Sequence, residues 1–424
     1  MSAFTQWFNE RAPGLGVAYK KHMTEYYAPK NFNFMYYFGS LALLVLVNQI
    51  VTGIFLTMFY NPSAAGAFDS VQYIMRDVQW GWLVRYMHET GASMFFIVIY
   101  LHMFRGLMYG SYKRPRELVW LLGMFIFLAL MAEAFMGYVL PWGNMSFWGA
   151  KVIITLFSAI PWIGETLVHW IMGTLSVPGD PTLNRFFALH VVALPLVLLL
   201  LVVLHLGALH EVGSNNPDGV EIKKHKGPDG HPLDGIPFHP YYTLKDLVGV
   251  GVFLIICAIV IFFAPTVGGF FLEPDNLLKA NPLVTPATIK PVWYFSPFYA
   301  ILRAIPDKGM GVLALLLSIA SLFLVPWLDR GKVKSIRYRG TSYKVAITIF
   351  AIAFVLLGTI GADVMPTWLG YLYGNNAEAI VSSNLMIARI LTIVYFAFFI
   401  FLWVYTFFGL EKTRPVPERV TTHA

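Results

Sequence analysis

Eight long apolar segments constrain the fold of this chain more than any other feature. Each is long enough to cross a hydrocarbon layer of about 30 Å as a helix. Of the 424 residues, 57% are hydrophobic and only 12% are charged, which is far outside the range of soluble domains. We therefore predict an all-α integral membrane protein with eight transmembrane helices. The expected spans are residues 36–60, 82–109, 118–140, 185–209, 247–264, 310–328, 344–363 and 388–408.

The distribution of Lys and Arg predicts the orientation of these spans. The N-terminal segment, the even-numbered loops and the C-terminal tail hold 20 basic residues, whereas the odd-numbered loops hold six. Basic residues mark the cytoplasmic side of a membrane protein, so both termini are expected to be cytoplasmic. The formal net charge of +7 is interpreted as this orientation signal, and no nucleic-acid partner is expected.

Two pairs of histidines lie inside the spans. His88 and His102 are 14 residues apart in the second span, and His190 and His205 are 15 residues apart in the fourth. Fourteen helical residues rise about 21 Å, so one ring lies near each face. Because both spans run inward, His88 should face His190 near the outer side, and His102 should face His205 near the inner side.

The matched depths indicate metal ligation. A lone histidine in a membrane helix is usually a structural group or part of a proton path. Four histidines at two common depths instead predict axial ligands of two haem irons. The single cysteine, Cys257, lies inside a span and cannot supply a covalent haem site or an iron–sulfur ligand set. Two non-covalent b haems are therefore expected.

The spacing in the fourth span is one residue longer than in the second. On an ideal helix, 15 residues leave the rings of His190 and His205 roughly 60° apart around the axis. Pro195 lies between them, and proline kinks a helix. We predict that a kink at Pro195 brings both rings to one face.

Glycines and arginines accompany the histidines. Glycine in a membrane helix often serves helix packing, but four glycines repeat the 14-residue spacing and would leave room for two flat macrocycles. These are Gly39 and Gly53 in the first span and Gly123 and Gly137 in the third. Arg85 and Arg105 lie within one turn of His88 and His102 and are expected to pair with haem propionates. Snorkelling of the arginines to lipid headgroups is the alternative.

Three longer motifs carry a family resemblance. Residues 137–150 read GYVLPWGNMSFWGA, residues 210–217 read HEVGSNNP, and residues 236–246 read IPFHPYYTLKD. These motifs resemble those of cytochrome b, and the resemblance extends from Phe38 to the last span. That family is the haem-bearing subunit of the respiratory quinol:cytochrome c oxidoreductase, complex III, and the chain resembles its bacterial type. It implies ubiquinol oxidation at an outer site and quinone reduction at an inner site, coupled to proton translocation.

The resemblance also implies partners and an organisation of the chain. A Rieske-type iron–sulfur protein and a c-type cytochrome would accompany it, in a homodimeric complex of the bacterial inner membrane. A haem-binding four-helix bundle is expected at 36–212 and a C-terminal membrane region at 246–424. The cytoplasmic N-terminal segment would be 1–35 and the inner loop 213–245.

Two quinone sites follow from the resemblance. Pro291, Trp293 and Tyr294 are similar to the outer quinol-oxidation motif, beside short amphipathic helices from residues 141–180. Other expected members of this outer site are Phe135, Tyr138 and Gly149. The expected inner site consists of His210, Ser214, Lys245 and Asp246.

The inner residues have the chemistry that a quinone site needs, because quinone reduction takes up two protons with two electrons. Alternatives are a helix-end cap for His210 and an interfacial charge pair for Lys245 and Asp246.

The outer motif departs from the family pattern at Val292. Its second residue is commonly Glu, which would take a quinol proton, and valine cannot do this. Glu133, a carboxylate in the third span, is the candidate replacement, with a hydrogen bond to a haem or helix neighbour as the alternative. Glu133→Gln should then slow quinol oxidation while both haems are retained.

Two other functions remain open at this stage. A polytopic transporter would share the buried polar residues but has no need for four histidines at matched depths. A dihaem membrane anchor of a soluble dehydrogenase would share the haems but has no use for a second quinone site.

Overall fold

The computed structural model describes residues 3–374 and 376–421 and is mostly helical. In this part of the chain, eight helical segments are long and apolar enough to span a membrane, which confirms the predicted number. The chain is therefore a multi-pass membrane protein. The spans are Phe34–Thr57, Gly81–Tyr109, Glu117–Val139, Asp180–Val212, Tyr241–Phe263, Lys308–Leu328, Thr341–Gly361 and Ala377–Phe407.

The helices are numbered here in chain order. They are α1 (Ala3–Arg11), α2 (Pro13–Tyr19), α3 (Tyr37–Thr57), α4 (Ala67–Arg76), α5 (Gly81–Tyr109), α6 (Glu117–Val139), α7 (Asn144–Leu156), α8 (Gly164–Met172), α9 (Asp180–Ala188), α10 (Leu194–Val212), α11 (Tyr241–Phe263), α12 (Ser296–Ala304), α13 (Lys308–Leu328), α14 (Thr341–Gly361), α15 (Met365–Tyr373) and α16 (Ala377–Phe407). Two π-helical turns, Lys20–Thr24 and Leu189–Ala193, precede β1 and α10 respectively. The strands are β1 (Tyr27–Pro29) and β2 (Gly235–Pro237).

The membrane helices pack in two groups around one continuous core. In the first group α3 packs on α5 and α6 packs on α10, and in the second α12 packs on α13, α14 and α16. Phe96 and Phe127 are fully buried where the groups meet, and Tyr395 is fully buried inside the second group. Many other apolar side chains are exposed, such as Leu200 and Ile393, as expected for surfaces that face lipid.

Contacts between connections define two faces of the bundle. β1 of the N-terminal segment pairs antiparallel with β2 of the fourth loop. Lys113 of the second loop forms an ion pair of 2.7 Å with Asp329 of the sixth, and Arg419 of the tail forms one of 2.7 Å with Asp234 of the fourth. These connections share one face, called the inner face below, and they carry most of the basic residues.

The opposite, outer face is built from the odd-numbered loops. Lys279 of the fifth loop forms an ion pair of 2.8 Å with Asp69 in α4 of the first. The short helices α7 and α8 lie between residues 141 and 180, where the sequence predicts interfacial helices. Together with α4, these short helices lie at the outer ends of the first group of membrane helices.

Candidate functional site

The four membrane histidines form two facing pairs. The ring centroids of His88 and His190 are 6.2 Å apart, and those of His102 and His205 are 6.5 Å apart. Each ring thus faces the partner of equal depth that the span directions predict. A separation of this size between two imidazoles suits one metal ion bound on both sides.

A π-helical turn resolves the 15-residue spacing in the fourth span. Residues Leu189–Ala193, which include His190, form a π-helix directly before α10, and Pro195 lies in the first turn of α10. A π-helical turn holds about one residue more than an α-helical turn, so 15 residues here bring His190 and His205 to one face. The expectation of a proline kink alone was incomplete, because the extra residue is taken up before Pro195.

Each of the four spaced glycines packs against one histidine ring. The pairs are Gly39 with His102, Gly53 with His88, Gly123 with His205, and Gly137 with His190. A Cβ atom on Gly53 would lie 3.2 Å from Cε1 of its partner ring, and one on Gly137 would lie 2.5 Å away. Gly53 and Gly137 therefore make room for the imidazoles themselves, while the expectation that the four glycines leave room for macrocycles stays a prediction.

Hydrogen bonds at Nδ1 prepare the outer pair for metal binding. His88 Nδ1 is 2.9 Å from the Thr52 hydroxyl, which itself donates to the Asn48 carbonyl at 2.6 Å. His190 Nδ1 is 3.0 Å from both the backbone oxygen and the carboxylate Oε1 of Glu133. A ring that donates from Nδ1 keeps the Nε2 lone pair for a metal. These residues fit an axially ligated haem.

A buried arginine accompanies each pair. Arg85, only 13% exposed at its side chain, pairs with Glu89 at 3.1 Å. Arg105 lies 3.2 Å from Nδ1 of His102 with its guanidinium over the Tyr36 ring at 4.7 Å. Both guanidinium groups contact side chains of the bundle, and their pairing with haem propionates stays a prediction.

A cavity of about 430 Å³ extends from the outer histidine pair toward the outer face. Apolar and aromatic side chains form most of its wall, with a few polar groups between them. The wall includes Arg85, His88, Glu89, Glu133, Gly137, Tyr138, His190, Val292 and Tyr294. A pocket of this kind suits a quinone, which has an apolar body and a polar head.

Three other residues predicted for the outer site, Trp293, Gly149 and Pro291, lie next to residues of the cavity wall. Trp293 donates from Nε1 to the Ser93 hydroxyl at 3.0 Å, and Ser93 lines the cavity. Gly149 lies beside the Tyr138 ring, and Pro291 directly precedes Val292. Phe135 lies outside the wall and packs on Phe186, with ring centroids 5.6 Å apart.

Glu273 is an outer residue that sequence reasoning missed. The Tyr138 hydroxyl donates to Glu273 Oε2 at 2.5 Å, and Glu273 is only 5% exposed. Burial raises the pKa of the Glu273 carboxyl above its ordinary value. An acid directly after the apolar residues Phe271 and Leu272 in an outer loop is the sequence signal that could have identified it.

On the inner face, His210 and Ser214 are joined by two residues of the N-terminal segment. His22 Nδ1 lies 2.9 Å from His210 Nδ1, and the Tyr26 ring stacks on His210 at 4.2 Å. The Tyr26 hydroxyl is 2.7 Å from the Ser214 hydroxyl. The sequence did not single out His22 or Tyr26, although both lie on the same side of the membrane as His210.

Lys245 and Asp246 form a separate part of the inner face. Lys245 Nζ lies over the Tyr241 ring at 4.5 Å, and Asp246 follows it on α11, beside Ser40 of α3. Backbone hydrogen bonds connect the two parts, including one of 3.1 Å from the His239 amide to the Met23 carbonyl. The four residues predicted for one inner site therefore lie in two neighbouring groups.

Together, the membrane helices, the facing histidines and the buried cations define a haem-binding membrane protein for electron transfer. Residues 23–213 match the family described as Cytochrome b/b6/petB, and residues 279–396 match Cytochrome b(C-terminal)/b6/petD. Cytochrome b of Allochromatium vinosum is 55% identical over 426 residues, which cover 98% of each chain. The chain belongs to the cytochrome b family.

Two further comparisons extend this result. A solved structure described as Hyperthermophilic respiratory Complex III matches with a TM-score of 0.84 and 39% identity, covering 95% of this chain and 98% of that one. Cytochrome b/c1 of Bradyrhizobium diazoefficiens is 46% identical over 416 residues, which cover 98% of this chain and 56% of that longer protein. The chain is thus a cytochrome b of the complex III type, with a role in electron transfer.

Proposed function

We propose that the chain binds two b haems, one on each histidine pair, and connects an outer quinol-oxidising site with an inner quinone-reducing site. Haem, when bound, supplies one-electron transfer between the two depths. His88 and His102 are 14 residues apart on α5, about 21 Å along the helix. The four glycine–histidine contacts and the Nδ1 partners of the outer pair support this assignment.

At the outer face, the chain would hold ubiquinol in the cavity beside His88 and His190. The apolar wall excludes water from the quinol ring, and Tyr138, which lines the cavity, would contact the quinol hydroxyl. Protons released here would leave on the outer side. One electron would go to a partner iron–sulfur protein, and the other would cross to the inner site.

At the inner face, the polar cluster would bind quinone and supply protons. His22, Tyr26, His210 and Ser214 offer hydrogen-bond donors within one connected group. His210 follows His205 by five residues on the same helix, so this cluster lies next to the inner pair. Proton uptake here with release outside would store charge across the membrane.

The proposed partners are a Rieske-type iron–sulfur protein and a c-type cytochrome, in a homodimeric complex. In the part of the chain that the structure describes, no cluster of three or more His, Cys, Asp or Glu side chains is placed to hold a metal ion. The relative named cytochrome b/c1 supports a c-type partner. The excess of basic residues on the inner face supports cytoplasmic termini in a bacterial inner membrane.

The observation that carries this proposal is the presence of two distinct polar clusters on opposite faces, each beside its own histidine pair. A dehydrogenase anchor has no use for the outer cavity, and a transporter has no use for facing histidines. The test is ubiquinol:cytochrome c reduction by the purified complex in sealed vesicles. We expect activity that separate outer-site and inner-site inhibitors block, with proton release outside. Absence of b-haem bands, or haem reduction without quinol oxidation at the outer site, would contradict the proposal.

A further inference from the structure

We propose that Glu273 accepts the proton that leaves the quinol hydroxyl in the outer cavity, with Tyr138 as the relay between them. This inference rests on the proposed function, because it concerns the same quinol-oxidation site. It identifies the acid that the outer motif lacks at Val292.

The contact between Tyr138 and Glu273 has the direction that a relay requires. Tyr138 lines the cavity, and its hydroxyl donates to Glu273 Oε2 at 2.5 Å. Since the phenol proton is engaged by the carboxylate, the oxygen lone pairs remain to accept a hydrogen bond from a ligand. A quinol hydroxyl is a donor of this kind.

The segment that carries Glu273 is fixed to the start of α7. The Asn276 amide donates to the Glu273 carbonyl at 3.0 Å, and Asn276 Oδ1 accepts from the Ser146 amide at 2.8 Å. Gly143 permits this approach, because a Cβ atom there would lie 2.3 Å from Asn276 Oδ1. The carboxylate therefore has a defined position beside the Tyr138 ring.

Two acids, Glu89 and Glu133, line the cavity wall themselves, and both have other partners. Glu89 pairs with Arg85 at 3.1 Å, and Glu133 lies 3.0 Å from Nδ1 of His190. Of these three acids, only Glu273 accepts a hydrogen bond from a tyrosine that lines the cavity. We therefore assign proton acceptance to Glu273, in place of Glu133.

Glu273 also lies near the position where the family motif carries its acid. The rings of Phe270 and Phe271 stack on Trp293, with centroids 5.4 and 6.2 Å away. This packing holds the loop of Glu273 against the motif that contains Val292, which is itself 4% exposed. In this chain the acid near the Val292 motif is therefore Glu273, which comes from the loop packed against that motif.

The transfer balances as a proton relay. The quinol O–H bond breaks and an O–H bond forms at the Tyr138 oxygen, while the original phenol proton forms an O–H bond on the Glu273 carboxylate. The two electrons would leave to the proposed iron–sulfur partner and to the haem that His88 and His190 would hold. A second cavity of about 240 Å³ borders the first at Leu272 and Asn276, so residues of the loop on both sides of Glu273 line both cavities.

Charges around Glu273 set the pH dependence of this step. Burial raises the pKa of Glu273, while the Tyr138 hydrogen bond and the Lys290 charge lower it and Asp275 raises it. Glu89 on α5 is the other acid that faces it. A proton acceptor works only when it is deprotonated, so quinol oxidation should fall as pH drops through the Glu273 pKa. That fall begins at a higher pH than for an exposed glutamate, whose pKa is about 4.3.

The experiment uses the complete complex with Glu273→Gln, alone and combined with Val292→Glu. Glutamine has the same shape as glutamate, and its amide oxygen still accepts the Tyr138 hydrogen bond. The amide does not take up a proton, so the variant removes only the proton acceptor. We expect quinol oxidation to fall at least ~10-fold and its acidic pH limb to disappear. The double variant, with an acid restored at the motif position, should recover several-fold. Both b-haem bands and quinol-driven haem reduction through the inner site should be unchanged.

Three results would overturn the assignment. The first is an unchanged rate and pH profile of quinol oxidation in Glu273→Gln. The second is a double variant that keeps both haem bands but recovers no quinol oxidation. The third is slow quinol oxidation in Glu133→Gln together with a normal rate in Glu273→Gln. If the wild-type complex itself shows no inhibitor-sensitive quinol oxidation, the proposed function is contradicted. That result differs from the three above, which concern only the role of Glu273.

Discussion

Gly137 lies so close to the His190 ring that a Cβ atom on it would be 2.5 Å from Cε1 of the imidazole. Real Cβ contacts are not this short, so α6 can approach the ring only with glycine at this position. The position of the outer histidine pair thus depends on the absence of one methyl group.

Gly137→Ala should displace His190 and lower the content of the outer haem. Gly39→Ala is the matched control, because its Cβ would lie at an ordinary 3.5 Å from His102. We expect the outer b-type band to weaken at least twofold in the first variant and both bands to be retained in the second. The measurement is haem per chain from reduced-minus-oxidised spectra. Equal spectra for the two variants would show that the contact does not position the ring.

Glu133→Gln should raise the midpoint potential of the outer haem. The carboxylate lies 3.0 Å from His190 Nδ1, and a negative charge beside an axial ligand favours the more positive, oxidised iron. Removal of that charge should therefore shift the potential upward by tens of millivolts, with both haems bound. A redox titration of the complex checks this, and a downward shift would contradict the assigned contact.

His22→Leu should impair the inner site without affecting the outer one. The change removes the nitrogen 2.9 Å from His210 Nδ1 and leaves the Tyr26 stack. We expect haem reduction through the inner site to slow about tenfold, measured with the outer site inhibited. Lys21→Ala is the control, since its ion pair with Glu211 is exposed and 3.7 Å long. A similar effect in both variants would remove His22 from the site.

Glu221→Gln should destabilise the inner face in a pH-dependent way. Glu221 pairs with Arg116 at 2.6 Å and with Lys334. Burial raises its pKa, but these two cations outweigh burial and hold the pKa at about 2. The folded pKa is below the ordinary 4.5, so the carboxylate stabilises the fold above pH 4.5 and this contribution disappears as pH falls toward 2.

The size of that effect follows from the shift in pKa. At pH 7 the variant should lose about 3 kcal/mol, and the difference from the wild type should shrink below about pH 4. Thermal unfolding followed by loss of haem absorption measures it. Asp69→Asn removes an exposed pair with Lys279 and should have almost no effect. A pH-independent difference for Glu221→Gln would contradict the assignment.

The membrane spans, the two faces and the histidine pairing could be predicted from the sequence because their signals are local. Span length depends on runs of apolar residues, and orientation depends on loop charge. Given these, the depth of His88 and His102 determines which ring on the fourth span each one meets. No long-range contact has to be known for this argument.

The π-helical turn around His190 could not be predicted in the same way. The 15-residue spacing shows that a regular α-helix would not place His190 and His205 on one face. Either a proline kink or a π-helical turn could correct the angle between the two rings around the helix axis. The choice depends on how residues Leu189–Ala193 pack against α6 and α9, and this packing is tertiary information.

The residues missed at both quinone sites come from distant parts of the chain. Glu273 is 135 residues from Tyr138, and His22 is 188 residues from His210. Loops and the β1–β2 pairing bring these partners together, and local patterns do not encode that approach. Sequence reasoning selected Glu133, a carboxylate inside the third span, for the role that we propose for Glu273.

The most direct test of two haem sites that serve two quinone sites is a redox titration of the purified complex with an inhibitor at each face. We predict two one-electron b-type components, with the outer-site inhibitor perturbing only the component bound by His88 and His190 and the inner-site inhibitor perturbing only the one bound by His102 and His205. A single component, or two components that both respond to the same inhibitor alone, would contradict the account.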